Sequence, residues 1–283
     1  HNNALDIDVF LRIAPETYLK RAVAGGFEHV YEFARSFRNE GVDASHLPDF
    51  TLLEAYSSYW NYEDNMDFTQ KLLKHCLQEV FGTQQINRDG REISFAGEWP
   101  RISFRELLQR DCGIDIRACP DRDSLVAAIN EREITFEEDV DLKTIGRGNL
   151  IDQLYKKVSR PGLVDPVFIT HHPIDLSPLA RKNDEDPSVV DRFQLVVNGW
   201  EIINAYSELV DPLDQAQRFT EQAQARAAGD EDAMSVDEDF VACMEYGMPP
   251  MSGWGMGIDR LVALLTDAST LREVVLFPLL RPQ

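Results

Sequence analysis

Asn198-Gly199 stands between two apolar runs, Arg192 to Val197 and Trp200 to Leu209. Asn-Gly is the pair that best tolerates positive φ at both central positions of a two-residue turn. The flanking runs are therefore expected to fold back on each other as antiparallel neighbours. A second hairpin lies upstream. Tyr31, Phe33, Arg35 and Phe37 alternate with Glu32, Ala34, Ser36 and Arg38, which is a strand period. A polar loop from Gly41 to Phe50 follows, and Leu52 to Tyr59 reads as the partner strand. Clustered hairpins do not fit the strict βαβ alternation of a parallel sheet.

Helical spacing fills the gaps between the hairpins. A short helix after residue 9 is broken at Gly25-Gly26, and residues 63–81 carry a helical stripe closed by Gly82. Helices are also expected over 211–228 and 237–247, and Gly253 to Leu265 reads as a strand passing into a helix. Pro166 to Thr170 looks like a buried strand and Val274 to Phe277 like a final one. Residues 84–160 mix short strands and helices, with Ser103 and Ser124 as N-caps, and read as a peripheral insertion in a single domain spanning 1–283. The expected fold class is α+β: a mostly antiparallel sheet of about six strands flanked by helices.

Composition narrows the function less. The formal net charge of −21 argues against a free-standing nucleic-acid binder, because phosphate neutralisation carries most non-specific affinity. An enzyme that touches RNA at one end stays compatible with it. No run of 18 apolar residues occurs, so no membrane span is expected. Four cysteines without a C-x-x-C pair suggest reduced thiols in a cytoplasmic protein. The chain begins with His1, which suggests an internal segment of a longer polypeptide.

Three constellations carry chemistry. In the first hairpin, Arg38 and Glu40 precede the loop, with Glu54 and Tyr56 after it; residues two apart share a strand face. An arginine there can fork onto a phosphate, although surface ion pairs would look the same. In the second, Gly253, Gly255 and Gly257 alternate before Asp259-Arg260, stripping side chains from one face so that a flat ligand can approach the backbone. In the third, Asn204, Tyr206 and Glu208 share a face of an otherwise apolar strand, as a site or as a wet edge. His171-His172 is a poor metal pair, because adjacent strand side chains point to opposite faces. The acidic run Gly229 to Asp239 reads as a solvated face.

Together these resemble the class II aminoacyl-tRNA synthetases. Phe37-Arg38-Asn39-Glu40, followed by Phe50 and Glu54, looks like their motif 2, and Gly255-Met256-Gly257-Ile258-Asp259-Arg260 like motif 3. The resemblance narrows to the lysyl-tRNA synthetases through Arg12-Ile13-Ala14-Pro15-Glu16, Gly25-Gly26-Phe27-Glu28, Ser177-Pro178-Leu179-Ala180-Arg181, Tyr206-Ser207-Glu208-Leu209 and Asp259. It implies the class II catalytic fold, with the anticodon-reading OB-fold and the motif 1 dimer helix missing from this stretch. It also implies ATP and Mg2+ as reactants, L-lysine and the acceptor end of tRNA(Lys) as partners, and a homodimer in the full-length protein.

Residue by residue, the resemblance places Arg38 on the ATP α-phosphate, Glu40 on the adenine amino group and His46 near the β- and γ-phosphates. Phe50 lies under the adenine, with Arg260 above it and reaching the γ-phosphate. Glu16, Glu54, Tyr56, Asn204, Tyr206 and Glu208 match the lysine pocket. Glu201 matches a magnesium ligand. Gln194 stands where a second magnesium-binding Glu is usual, and a neutral amide oxygen is a weaker ligand for a hard cation. Leu47, Asp49, Ala205 and Tyr206 also depart from the usual Asn, Glu, Gly and Phe. Three carboxylates suit a substrate with two ammonium groups. The competing readings are a protein-lysylating ligase of the elongation factor P type and a catalytically silent paralogue acting as a binding module.

Strand parity makes the roles testable. A two-residue turn at Asn198-Gly199 pairs Val196 with Glu201, so Gln194 and Glu201 share a face. In a regular strand Asn204, Tyr206 and Glu208 would face away from Glu201. One extra residue reconciles them, so a β-bulge is expected at Ile202 or Ile203.

Overall fold

The computed structural model describes residues 1–39, 43–136, 142, 145–177, 179–227 and 236–279; Glu40 and the acidic stretch over 229–235 lie outside the described residues. Helix α1 (Glu16–Ala24) leads into β1 (His29–Phe37), β2 (Asp49–Ser58) and α2 (Tyr62–Phe81). A small hairpin follows, β3 (Gln85–Arg88) and β4 (Arg91–Ser94), then β5 (Arg101–Ser103) and three helices, α3 (Phe104–Cys112), α4 (Arg122–Glu131) and α5 (Arg147–Val158). Then come β6 (Val167–Thr170), β7 (Arg192–Val197), β8 (Trp200–Ser207), α6 (Pro212–Ala227), α7 (Glu238–Glu245), β9 (Met251–Gly257) and α8 (Ile258–Leu265).

Seven strands join in the order β1-β2-β9-β8-β7-β6-β5. Every neighbouring pair is antiparallel except β5–β6. This is the expected α+β arrangement with one more strand than anticipated: three-residue β5 adds a short parallel edge.

Local signals explain most boundaries. Asn61 caps α2 with both halves of a capping box, and Gly82 ends it in the left-handed conformation at φ 69°. Ser103 caps α3 as expected. Ser124 does not cap α4. Asp121 does, and Ser124 donates its backbone N–H to it from the third helical position. An ionised acceptor at the positive end of the helix has the advantage over a hydroxyl. Val274 to Phe277 is not a strand. Val274 and Val275 find burial against Leu47, Ala268 and Leu271 without pairing, and Leu276 and Phe277 stay exposed.

Alternation divides the sheet into two faces. Leu53, Met256, Ile203, Leu195 and Phe168 follow one another across five strands and point into the larger core, which α2 and α8 cover. The neighbouring row, Glu54, Gly255, Asn204 and Gln194, points to the other face. There α1 packs on Tyr56 and Met251 at one end, and three helices cover the other. Ile169, Val196 and Val167 meet α3, α4 and α5 in a second core, and the surface over β2, β9 and β8 is left as a cleft.

Candidate active site

The floor of the cleft is made by β9, whose glycines lie between polar residues of both neighbouring strands. Gly255 is flanked by Glu54 and Asn204, and Gly253 by Tyr56 and Tyr206. The space above Gly253 is taken by the protein itself. A Cβ there would fall 2.0 Å from Glu208 Oε1 and 2.6 Å from the Tyr56 ring. At Gly255 and Gly257 a Cβ would meet only ordinary contacts, so the strict need for glycine lies at Gly253.

Strand β8 supplies the opposite wall. Leu195 pairs with Ile203, but the next residue, Val196, pairs with Glu201, so Ile202 is the extra residue of a bulge. The strand does break its parity where the sequence required. Glu201, Asn204, Tyr206 and Glu208 all line the cleft. Arg192 on β7 fixes Asn204. Its guanidinium donates to Asn204 Oδ1 at 2.8 Å and to the Leu176 carbonyl and Ser177 Oγ at 2.8 and 2.7 Å.

One end of the cleft is acidic. Glu16, Glu54 and Glu208 face it with Tyr56 and Tyr206. Tyr56 Oη donates to Glu54 Oε2 at 3.1 Å, and Tyr206 Oη to Glu16 Oε1 at 3.0 Å. The hydroxyl that distinguishes Tyr206 from phenylalanine is thus bonded within the site. Burial, reinforced by the Glu16 charge, pushes the Glu54 carboxyl up to about 8. Burial also lifts Glu208 to about 8, against the pull of Lys20. Lys20 Nζ is 2.5 Å from Glu16 Oε1 and 2.5 Å from Glu208 Oε2. The sequence reading missed this residue, although its place four residues after Glu16 on α1 was a usable signal.

The other end is basic. Arg38 lies 5.2 Å over the Phe50 ring and donates from Nε to the Ile13 carbonyl at 3.4 Å. Arg260, at the start of α8, reaches the carbonyls of Ser45 and Glu201 at 3.2 and 3.3 Å. Helix α8 is anchored to β2 by Asp259, which accepts the Thr51 backbone N–H at 2.7 Å. His46 lines this end and pairs through Nδ1 with Asp43 at 2.8 Å.

Of the sequence candidates, Glu16, Arg38, His46, Phe50, Glu54, Tyr56, Glu201, Asn204, Tyr206, Glu208 and Arg260 meet in this cleft. Glu40 lies outside the described residues. Gln194 is buried just behind the lining, and its Nε2 donates to Glu201 Oε2 at 2.8 Å. Among the described residues no group of three or more His, Cys, Asp or Glu forms a metal cage. One carboxylate beside one amide still fits Mg2+, which keeps waters and substrate phosphates among its ligands.

Comparison with known proteins points to one family. The family model of class II tRNA synthetases (D, K and N) matches residues 1–281. The lysine--tRNA ligase of Pelotomaculum thermopropionicum is 45% identical over 283 residues, covering 100% of this chain and 55% of the relative. That of Thermotoga maritima is 46% identical, with the same coverage. That of Coxiella burnetii is 48% identical over 284 residues, covering 99% of this chain and 56% of its own length. The chain spans about half the length of these curated relatives.

Proposed function

The chain belongs to the class II tRNA synthetases (D, K and N), and from that membership we propose that the whole protein joins L-lysine to tRNA(Lys) at the expense of ATP. The observation that carries the reading is one continuous cleft with Glu16, Glu54 and Glu208 at one end and Arg38 and Arg260 at the other. Carboxylates suit the two ammonium groups of lysine, and arginines suit the triphosphate.

Lysine is seated with its ammonium groups against the three glutamates and its carboxylate towards Arg38. That carboxylate is already ionised, so no general base is needed. It attacks the ATP α-phosphate in line, the acyl–phosphate bond forms, and the bond to pyrophosphate breaks. Arg38 gains strength as negative charge builds on the α-phosphate. Phe50 and Arg260 bracket the adenine, Glu40 reads its amino group, and His46 and Arg260 serve the outer phosphates. A terminal ribose hydroxyl of tRNA then attacks the lysyl carbonyl and AMP departs. Mg2+, when bound, neutralises phosphate charge; Glu201 would hold it, with the Gln194 amide beside it.

The named relatives are all lysine--tRNA ligases, so neither the protein-lysylating nor the silent reading is favoured. Among the described residues no helix is long and apolar enough to cross a membrane, and we place the protein in the cytoplasm with the tRNA it charges. The exposed rings of Tyr31 and Phe33 on edge strand β1 suit a homodimer contact. The direct test is amino-acid-dependent ATP–pyrophosphate exchange by the whole protein. Exchange is expected with lysine and not with aspartate or asparagine; exchange driven by either of those would sink the reading.

A further inference from the structure

If the acidic end of the cleft takes lysine, three glutamates meet a substrate with two ammonium groups. The missing cation is in the protein. Lys20 Nζ contacts Glu16 and Glu208, each at 2.5 Å, and its side chain is 2% exposed. The rings of Tyr56, Tyr206 and Phe240 surround it at 5.8 to 6.0 Å. Lys20 is not part of the cleft lining; it stands behind the carboxylates.

We propose that Lys20 is a specificity-determining positioning residue: a built-in cation that cancels one of the three carboxylate charges and leaves two for the two ammonium groups of the substrate. The inference rests on the lysine reading above. Lys20 also draws a helix residue and a strand residue to one point. Glu16 comes from α1 and Glu208 from the end of β8, and no other cation is paired with Glu208 among the described residues. With Gly253 leaving room for Glu208 Oε1, the carboxylate is held from both sides.

The groups facing Lys20 are few. Helix α1 presents Glu16, β2 presents Tyr56 and Glu54, β8 presents Tyr206 and Glu208, and α7 presents only the Phe240 ring. Burial pulls the Lys20 pKa down, but the charges of Glu16 and Glu208 outweigh it and hold the ammonium above the ordinary lysine range. Without that ammonium, buried Glu208 has no counter-charge and keeps its proton to higher pH. It then presents a neutral acid to the substrate.

The experiment is steady-state ATP–pyrophosphate exchange with Lys20→Met in the whole protein across pH. The KM for lysine should rise roughly tenfold to a hundredfold, as when a buried charged partner is removed. Its pH dependence should move to higher pH, while the KM for ATP holds and kcat at saturating lysine stays within about threefold. Lys20→Arg should restore part of the lysine KM. A purely structural residue would instead lower stability, kcat and ATP affinity together without moving the pH profile. Lys20→Met with an unchanged lysine KM and pH profile overturns the inference alone; an unmutated protein whose exchange ignores lysine overturns the lysine reading with it. Should Lys20→Met not fold, NMR of the Lys20 ammonium in the unmutated protein decides. It should remain protonated at about pH 10.4, where an ordinary lysine is half titrated, and shift on adding lysine. Ordinary titration, or no response to lysine, overturns the proposal.

Discussion

At the acidic end of the cleft, Glu54, Tyr56, Glu208 and Lys20 are buried, and each has a charged or hydrogen-bonded neighbour within the site. At the basic end, Arg38 is exposed and Arg260 half-buried, and their contacts include the carbonyls of Ile13, Ser45 and Glu201. Under the proposed function, the difference follows from what each end would receive. Two ammonium groups on a short chain need fixed carboxylates, and carboxylates kept out of water must be partly neutralised in advance. A triphosphate brings far more charge than any residue could balance beforehand. Arg260, which donates to the neutral carbonyls of Ser45 and Glu201, keeps its full charge for it. The frameworks differ accordingly: a helix and two central strands carry the carboxylates, and the β1–β2 connection and the first turn of α8 carry the arginines.

The largest effect should come from breaking the basic end alone. Arg38→Ala removes a contact that strengthens in the transition state, worth roughly 2–4 kcal/mol, or about 30-fold to 1,000-fold in kcat for pyrophosphate exchange. Lysine affinity measured by calorimetry without ATP should fall by much less than the rate, since Arg38 also faces the lysine carboxylate. If it falls as far as the rate, the two ends are not separable.

A smaller effect belongs to the acidic end. Glu54 and Glu208 are both raised by burial to about 8, so the lysine-free folded protein holds protons that the unfolded chain has released. The sign follows. Their contribution to stability is present at acid pH and is lost as pH rises through 8. Added lysine needs those carboxylates ionised, so below that pH its binding should expel protons. Affinity should then climb with pH, approaching tenfold per unit for each proton expelled, and level off above 8. Calorimetry at pH 7 in two buffers of different ionisation heat reads the protons directly. Lysine binding with no proton release would show that the carboxylates are already ionised.

Much of this was legible because it depends on local pattern. Asn198-Gly199 set the β7–β8 register, and that register, with the roles implied by the resemblance, required the bulge found at Ile202. Alternation likewise put Glu54 and Tyr56 on one face of β2 and Asn204, Tyr206 and Glu208 on one face of their own strand; β9, pairing with both, makes the two faces one. What stayed hidden depends on partners distant in sequence. Arg192 looks like an ordinary first strand residue until Ser177 and the Leu176 carbonyl fold against it. Lys20 reads as half of a surface pair with Glu16; only Glu208, 188 positions later, makes it a buried cation. Gly253 is explained by Glu208 and Tyr56 rather than by a ligand. The parallel β5 edge, three residues long, is too short to show a period.

The smallest effect expected lies at the wall between the two ends, where Mg2+ would be held. Gln194 donates to Glu201 at 2.8 Å, so Gln194→Glu would place two carboxylates within hydrogen-bonding distance. Without a cation they repel. The introduced carboxyl would be as enclosed as the Gln194 amide is, and would hold a proton near neutrality. With Mg2+ the two would share the ion, and two ionised ligands bind a hard cation better than one carboxylate and an amide. The gain is reduced by the proton that must leave first. The half-saturating Mg2+ concentration for pyrophosphate exchange should therefore fall only about threefold to tenfold at pH 7, and further at about pH 8.5 as the shared proton is lost. The KM for lysine should not move, because Glu201 lies across the bulge from Tyr206 and Glu208, and Gln194 stands behind the cleft lining. A lysine KM that follows the Mg2+ curve would mean that the bulge couples the two ends rather than separating them. An unchanged Mg2+ requirement at both pH values would remove Gln194 from the metal site.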